Sequence, residues 1–571
     1  MYSSVDTIWV LFGAVLVFFM QPGFAMVETG LTRAKNAGNI CMKNLMDFAL
    51  GTVFFWIVGF GLMFGQDIHG VIGTPDFFVS AYQTAADAGY PAMAYLIFQT
   101  VFCATSATIV SGSMAERTKF SAYCLYSVLI SLIIYPISGH WAWGGGWLSE
   151  LGFHDFAGST VVHMVGGILA FIGAFLLGPR IGKYNKDGSA NAILGHSIPL
   201  ACLGTFFLWF GWFGFNGAST VCATGDEVIE SMSSIFVTTN LAAAAATCTV
   251  MCLTWLRYGH PDVSMTMNGA LAGLVAITAG CDVVSPMGAF IIGVIAGVVV
   301  VFSVEFIDQK LHVDDPVGAV SVHGVCGALG TILTGVFAVK DGLLFTGKAD
   351  FLGIQVLGVA AVAIYVAIIG FVVFKVIDAV VGLRVSAEEE IGGLDSVEHG
   401  LPSAYASFLV LPDNYGEGAE YTEEPAAAVA AAPAAAPAAA ESVAPNVAAA
   451  EASGISNVRI ITSEERFDRL KDAMERIGIT GMTVTHVQGY GIQKGHEEVY
   501  RGAKIPSRLR PKVQCDIVVS KIPPRTIINA AKKVLFTGKY GDGKIFVSPM
   551  ENVVKIRTGE EGYDALQDKP L

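Results

Sequence analysis

The residues best suited to chemistry occur in duplicate. Asp155-Phe-Ala-Gly-Ser-Thr-Val-Val-His163-Met-Val-Gly-Gly-Ile-Leu169 returns 160 residues later as Asp315-Pro-Val-Gly-Ala-Val-Ser-Val-His323-Gly-Val-Cys-Gly-Ala-Leu329, with seven of fifteen positions identical. Each copy lies in an apolar segment long enough to cross a bilayer. An imidazole inside hydrocarbon is costly, so ionisable residues there usually line a path for ions or protons. Imidazole suits that work: its pKa lies near neutrality, and the neutral ring presents one donor and one acceptor nitrogen. The competing reading is a pair of packing histidines, each bonded to a backbone carbonyl. Duplication of the whole frame argues against it.

The elements that carry these residues are read from composition and charge. Of 571 residues, 53% are hydrophobic and 14% charged, and the mean hydropathy is +0.58. This composition is that of a polytopic membrane protein. Apolar runs of spanning length fall at roughly 8–30, 42–65, 92–114, 119–139, 156–178, 193–216, 232–256, 264–280, 284–307, 316–338 and 351–383, eleven in all. Arg33, Lys35, Lys43, Arg117, Lys119, Arg180, Lys183, Lys186, Arg257 and Lys310 follow odd-numbered spans, whereas the alternate loops hold only Lys340 and Lys348. The bias predicts an N-terminus outside and a C-terminus in the cytoplasm. Spans five and ten then run antiparallel. Eight helical residues rise about 12 Å, against a half-bilayer of about 15 Å, so both histidines reach the midplane. The expected plan is five helices, an inverted five and an eleventh strap.

Charge divides the chain further. Residues 1–384 carry a net −8, residues 385–456 carry −12 and residues 457–571 carry +6. An acidic segment around Glu388–Gly400 leads into residues 425–454, where seventeen alanines and four prolines form a semi-flexible tether. From about Asn457 the pattern turns globular. Strands are expected at 458–462, 483–488, 513–519 and 544–547, and helices at 463–477 and 523–535. That β-α-β-β-α-β order is the ferredoxin-like plan. The ten cysteines show no paired spacing of a metal cage.

Specific motifs place both parts. Pro22-Gly-Phe-Ala-Met-Val-Glu28, Ala115-Glu-Arg117, His140-Trp-Ala-Trp-Gly-Gly-Gly146, Gly211-Trp-Phe-Gly-Phe-Asn216 and Val322-His-Gly-Val-Cys-Gly327 join the Asp155…His163 stretch. With them, residues 1–410 resemble the ammonium transporter/Rh family. Gly481-Met-Thr-Val-Thr485, Gln493-Lys-Gly-His496, Tyr500-Arg-Gly-Ala503, Thr537–Val547 and Lys555-Ile-Arg-Thr-Gly559 make residues 457–571 resemble the PII (GlnK-like) signal proteins. Residues 411–456 are the linker between them.

The resemblance implies an outer ammonium recruitment site at Phe102, Trp143 and Ser219, with Asp155 supporting it structurally. It implies a hydrophobic gate of Phe102 and Phe215, and a narrow pore in which His163 and His323 share a hydrogen bond beside passing ammonia. In the C-terminal domain it implies ADP or ATP held between subunits by Thr483, Gly491, Gln493, Val518, Gly541, Asp542, Gly543, Lys544, Lys555 and Arg557. Gln493 and Lys512 match positions that hold Mg²⁺ or 2-oxoglutarate. Arg501 matches the residue that PII proteins insert into the transporter exit. Two departures stand out. Ile492 replaces a usual nucleotide-contacting Arg, and Lys504-Ile505 follows Arg-Gly-Ala where many members carry a modifiable Tyr.

The expectation is therefore a regulated ammonium transporter of the cytoplasmic membrane. It is expected to be a homotrimer in a lipid bilayer, with no nucleic-acid partner and no enzymatic activity. The alternative is an ammonium sensor whose flux is incidental and whose PII domain reports. A metal transporter using His323 and Cys326 lacks the carboxylate such a site would want.

Overall fold

The computed structural model describes residues 2–84, 88–401, 404–405, 454–463, 466–490, 499–500, 503–504, 509–538 and 542–566. The chain divides into two units.

Among the described residues of the first unit, ten helices are long and apolar enough to cross a membrane. They are α1 Ser4–Leu31, α2 Ala34–Phe64, α3 Ala92–Ser113, α4 Phe120–Glu150, α5 Ser159–Leu177, α6 Ile198–Thr220, α7 Asp226–Tyr258, α9 Pro286–Gln309, α10 Val320–Phe337 and α11 Asp350–Val380. The segment expected to span at 264–280 forms the shorter helix α8, Val263–Ile277, of 15 residues. Asp262 caps α8 by accepting from the Met265 N–H at 3.0 Å, and almost all of the helix is buried. Helices apolar on every side find no water-facing stripe, so lipid and neighbouring helices take their surface instead.

The duplicated segment builds the same device twice. The Asp155 carboxylate accepts from the backbone N–H groups of Gly158, Thr160 and Val161 at 3.1, 2.9 and 2.8 Å. Asp315 accepts from Val317, Gly318 and Val320 at 3.3, 2.9 and 2.8 Å. Each cap satisfies amide groups that a helix start leaves open. Gly158 and Gly318 make the turn into the helix at φ 112° and 82°, a region costly for other residues. Continuous α-helix is the sequence expectation here. The structure instead opens α5 and α10 with wide π-helical turns, Ser159–Met164 and Val320–Val325. Such turns widen the backbone locally and recur at functional sites. Both histidines lie inside them.

Small residues let the two helices cross closely. A Cβ on Gly167 would lie 2.0 Å from the Gly324 nitrogen, and one on Gly327 would lie 2.5 Å from the Ser159 carbonyl oxygen. These two glycines occupy the same position in the two copies. At the far end of α5, Arg180 makes a two-toothed contact with Asp314, at 2.8 Å from Nε and Nη2. Arg180 also bonds Glu116 at 2.9 Å. Although burial pushes the Asp314 carboxyl up, Arg180 and Arg117 hold it well below the usual carboxylate range.

The second unit has β1 Ser456–Ser463, α12 Phe467–Arg476, β2 Thr483–Tyr490, β3 Leu509–Val519, α13 Pro524–Leu535 and β4 Lys544–Pro549. The sheet is antiparallel in the order β2-β3-β1-β4. Val458, Ile460, Val513, Cys515, Ile517 and Val519 alternate onto one face, where Leu470, Met474, Ile527, Ala531 and Leu535 cover them. That period-two burial is what the sequence alternation dictates. The ferredoxin-like α+β plan is thus met.

Candidate functional site

The two histidines come together from antipodal parts of the sequence. His163 Nδ1 and His323 Nδ1 are 3.2 Å apart, with the rings inclined by 24°. Only one of these nitrogens can carry the shared hydrogen, so one ring donates and the other accepts. Both are buried, and among the described residues His163 Nε2 has no hydrogen-bond partner. A buried unpartnered nitrogen beside a hydrogen-bonded imidazole pair is costly unless something passes there to use it.

A column of aromatic rings leads to the pair. Phe215 lies 5.2 Å from His163 and stacks on Phe102 at 4.1 Å. Both phenyl rings are buried. Trp143 meets Phe102 edge-on at 6.3 Å and is half-buried. Its indole N–H donates to the Asp155 carbonyl at 2.7 Å, which fixes the ring over the column. Ser219, also half-buried, donates its hydroxyl to the Phe215 carbonyl at 2.7 Å, one helical turn back. Asp155 itself turns its carboxylate into the backbone of α5 and not along the column. Burial pushes that carboxyl up, while the three amides it caps pull it down.

Two ring partners of the histidines are additions from the structure. Trp212 stacks on His163 at 4.9 Å and 19°, and its N–H donates to Thr278 Oγ1 at 2.9 Å. Phe24 lies 6.0 Å from His323. Trp212 sits one helical turn before Phe215 on α6, so the same helix face offers it to the pair. That spacing was the available signal. Phe24 carries none, because a Phe inside an apolar span reads as packing.

In the second unit, Asp542 organises a turn. Its carboxylate accepts from the Thr537 N–H at 2.7 Å and from Arg466 Nη1 at 2.6 Å, and the Thr537 hydroxyl and these donors hold its pKa down. Gly543 completes the turn at φ 109°. Lys544 and Arg557 are exposed, and among the described residues neither takes part in an ion pair. Lys555 Nζ lies 3.5 Å from Glu560. Val518 pairs with Asn457 across β3 and β1. Thr483 begins one edge strand, β2, and Lys544 begins the opposite one, β4. Three strand spacings, about 14 Å, separate those edges, so one chain does not bring these residues together. Gly491, Gln493, Arg501 and Gly541 lie outside the described residues, as does the tether from 406 to 453.

Comparison with known proteins places both units. Residues 8–404 match the model of the Ammonium Transporter Family, and residues 455–560 match that of Nitrogen regulatory protein P-II. An ammonium transporter of Archaeoglobus fulgidus is 47% identical over 429 residues, covering 71% of this chain and 89% of that one. An ammonium transporter of Aquifex aeolicus is 40% identical, covering 69% and 92%. A solved structure described as a sensor Amt protein is 42% identical with a TM-score of 0.66, covering 69% and 98%. Mep2 of Candida albicans is 28% identical with a TM-score of 0.63, covering 68% and 88%. With the duplicated histidine segment folded into a paired site inside such a helical unit, the chain belongs to the ammonium transporter family, and a P-II domain follows its transporter unit.

Proposed function

We propose that this protein moves ammonium across the cytoplasmic membrane by separating it into ammonia and a proton. Trp143 and Ser219 receive the ion, one offering a π-face and the other a hydroxyl acceptor. Cation–π contact contributes about 1–2 kcal/mol when the ion is partly desolvated. Between Phe102 and Phe215 a bare ion would lose its hydration without compensation, a cost of many kcal/mol. Neutral ammonia escapes that penalty. His163 and His323 relay the released proton, and Asp155 holds Trp143 and the opening turn of α5 in place. The observation that carries this reading is the buried Nδ1–Nδ1 contact at 3.2 Å beside the unpartnered His163 Nε2.

We further infer a division into transporter (1–410), linker (411–456) and regulator (457–571), with the N-terminus outside and the regulator in the cytoplasm. The regulator takes ADP or ATP through the residues named above, with Mg²⁺ and 2-oxoglutarate as further ligands, and Arg501 acts at the pore. The exposed Lys544 and Arg557 suit phosphate groups. The opposite-edge positions of Thr483 and Lys544 favour a site shared between copies, which fits a homotrimer.

Ammonium-evoked current from proteoliposomes tests the transport reading. His163→Ala and His323→Ala, and the double variant, should each cut the current by at least about tenfold while melting as cooperatively as the parent. Parental current from the double variant would refute the relay. A second reading, an ammonium sensor, draws on the 42% identical structure described as a sensor. Absence of any ammonium-evoked current from the parent protein would favour it.

A further inference from the structure

Against His323 lies a cavity, not lined by Phe215, that the transport reading leaves without a role. It is lined by Phe24, Glu28, Asn268, Leu271, Val322 and His323, among others. Glu28 is 2% exposed. Its Oε2 accepts from Ser111 Oγ at 2.8 Å and from Asn44 Nδ2 at 3.2 Å. Among the described residues, Ser111 and Asn44 both bond Oε2, and none donates to Oε1. Asn268 is 1% exposed, and its Nδ2 has no partner among the described residues. Lys43 and Asp47 of α2 are the charged groups that act on Glu28. Neither relieves Oε1: among the described residues Lys43 Nζ forms no hydrogen bond, and it lies 5.2 Å from the centre of the Tyr123 ring. Asp47 is occupied by Thr108 at 2.6 Å and by Ser127.

A buried carboxylate with a free oxygen is a liability in hydrocarbon unless a cation completes it. The cavity offers what an ammonium ion would need. Glu28 supplies a charged acceptor, the Asn268 amide can turn its carbonyl inward, and Phe24 presents a ring. We propose that Glu28 and Asn268 form a second ammonium site below His323, where ammonia and the relayed proton recombine. The inference rests on the transport reading above. The step balances: the N–H bond of a protonated His323 breaks, a fourth N–H bond forms on ammonia, and imidazole is left neutral. Glu28 supplies the carboxylate that holds the product ion until it leaves. The sequence motif Pro22–Glu28 is thereby given a chemical role at its last residue.

The test uses the full-length protein in proteoliposomes, with ammonium-evoked current as the readout. Glu28→Gln keeps shape and removes charge, and should lower maximal current about tenfold or more. Glu28→Asp keeps the charge and should retain at least about a third of it. The proposal is overturned if Glu28→Gln stays within about twofold of the parent. It is equally overturned if Glu28→Asp falls as low as Glu28→Gln while both melt like the parent, since packing alone would then explain the loss. Should Glu28→Gln fail to fold, crystals of the parent protein soaked in rubidium, an ion close to ammonium in size, decide the matter. An anomalous peak between Glu28 and Asn268 supports the site, and no peak there rejects it. A parent protein without current would instead count against the transport reading.

Discussion

Gly167→Ala is the smallest change that should separate the two histidines. The added methyl would lie 2.0 Å from the Gly324 nitrogen, 2.3 Å from its Cα and 2.8 Å from the His323 carbonyl carbon. These are backbone atoms, so no side chain can swing aside. Ordinary contact needs about 3.5 Å, and restoring it moves α5 and α10 apart by about 1.5 Å. Carried to the imidazoles, that shift stretches the 3.2 Å Nδ1–Nδ1 contact well beyond hydrogen-bonding range. Overpacking of this kind costs about 1–3 kcal/mol, and the lost hydrogen bond adds about 1 kcal/mol. The melting temperature of the purified protein should therefore fall, and ammonium-evoked current should drop by about tenfold or more. Gly353→Ala on α11 is the control, because a Cβ there meets nothing within 4 Å. It should leave both quantities unchanged or raise stability slightly. Parental current and melting in Gly167→Ala would show that the close crossing does not set the histidine geometry.

Three further expectations follow from the same contacts. Trp143→Leu removes the ring over Phe102 and the donor to Asp155, so the apparent affinity for ammonium should weaken and discrimination against potassium should change; titrating the current with each ion checks it. Asp314 has a folded pKa depressed below its unfolded value, so its contribution to stability is present above the unfolded pKa, about 4, and fades as pH falls through the folded one. Asp314→Asn leaves Arg180 with Glu116 as its one carboxylate partner among those described, should cost a few kcal/mol, about 3, at neutral pH, and should flatten the acid side of the melting profile; a profile matching the parent would refute the role of that pair. Deleting everything after residue 411 should leave a current that no longer responds to ADP or ATP, and a parent protein equally active in apo, ADP and ATP conditions would reject self-regulation.

The duplicated Asp…His frame, the apolar spans and the alternating strands of the C-terminal unit were legible in the sequence because each is a repeat or a period along one dimension. Burial of Val458, Ile460, Cys515 and Ile517 on one sheet face follows from alternation alone. The membrane helices give no such guide to orientation. Apolar on all sides, they leave open which face of α5 meets which face of α10. That choice rests on where backbone can approach backbone, at Gly167 against Gly324 and beneath the two aspartate-capped turns. Only the packed structure brings together imidazoles 160 residues apart, lays Trp212 against one of them, and sets Glu28 and Asn268 on one cavity. Sequence fixes which groups can carry a proton. Close contact between small residues decides which of them meet, because directional chemistry in a medium without water depends on distances that hydropathy does not encode.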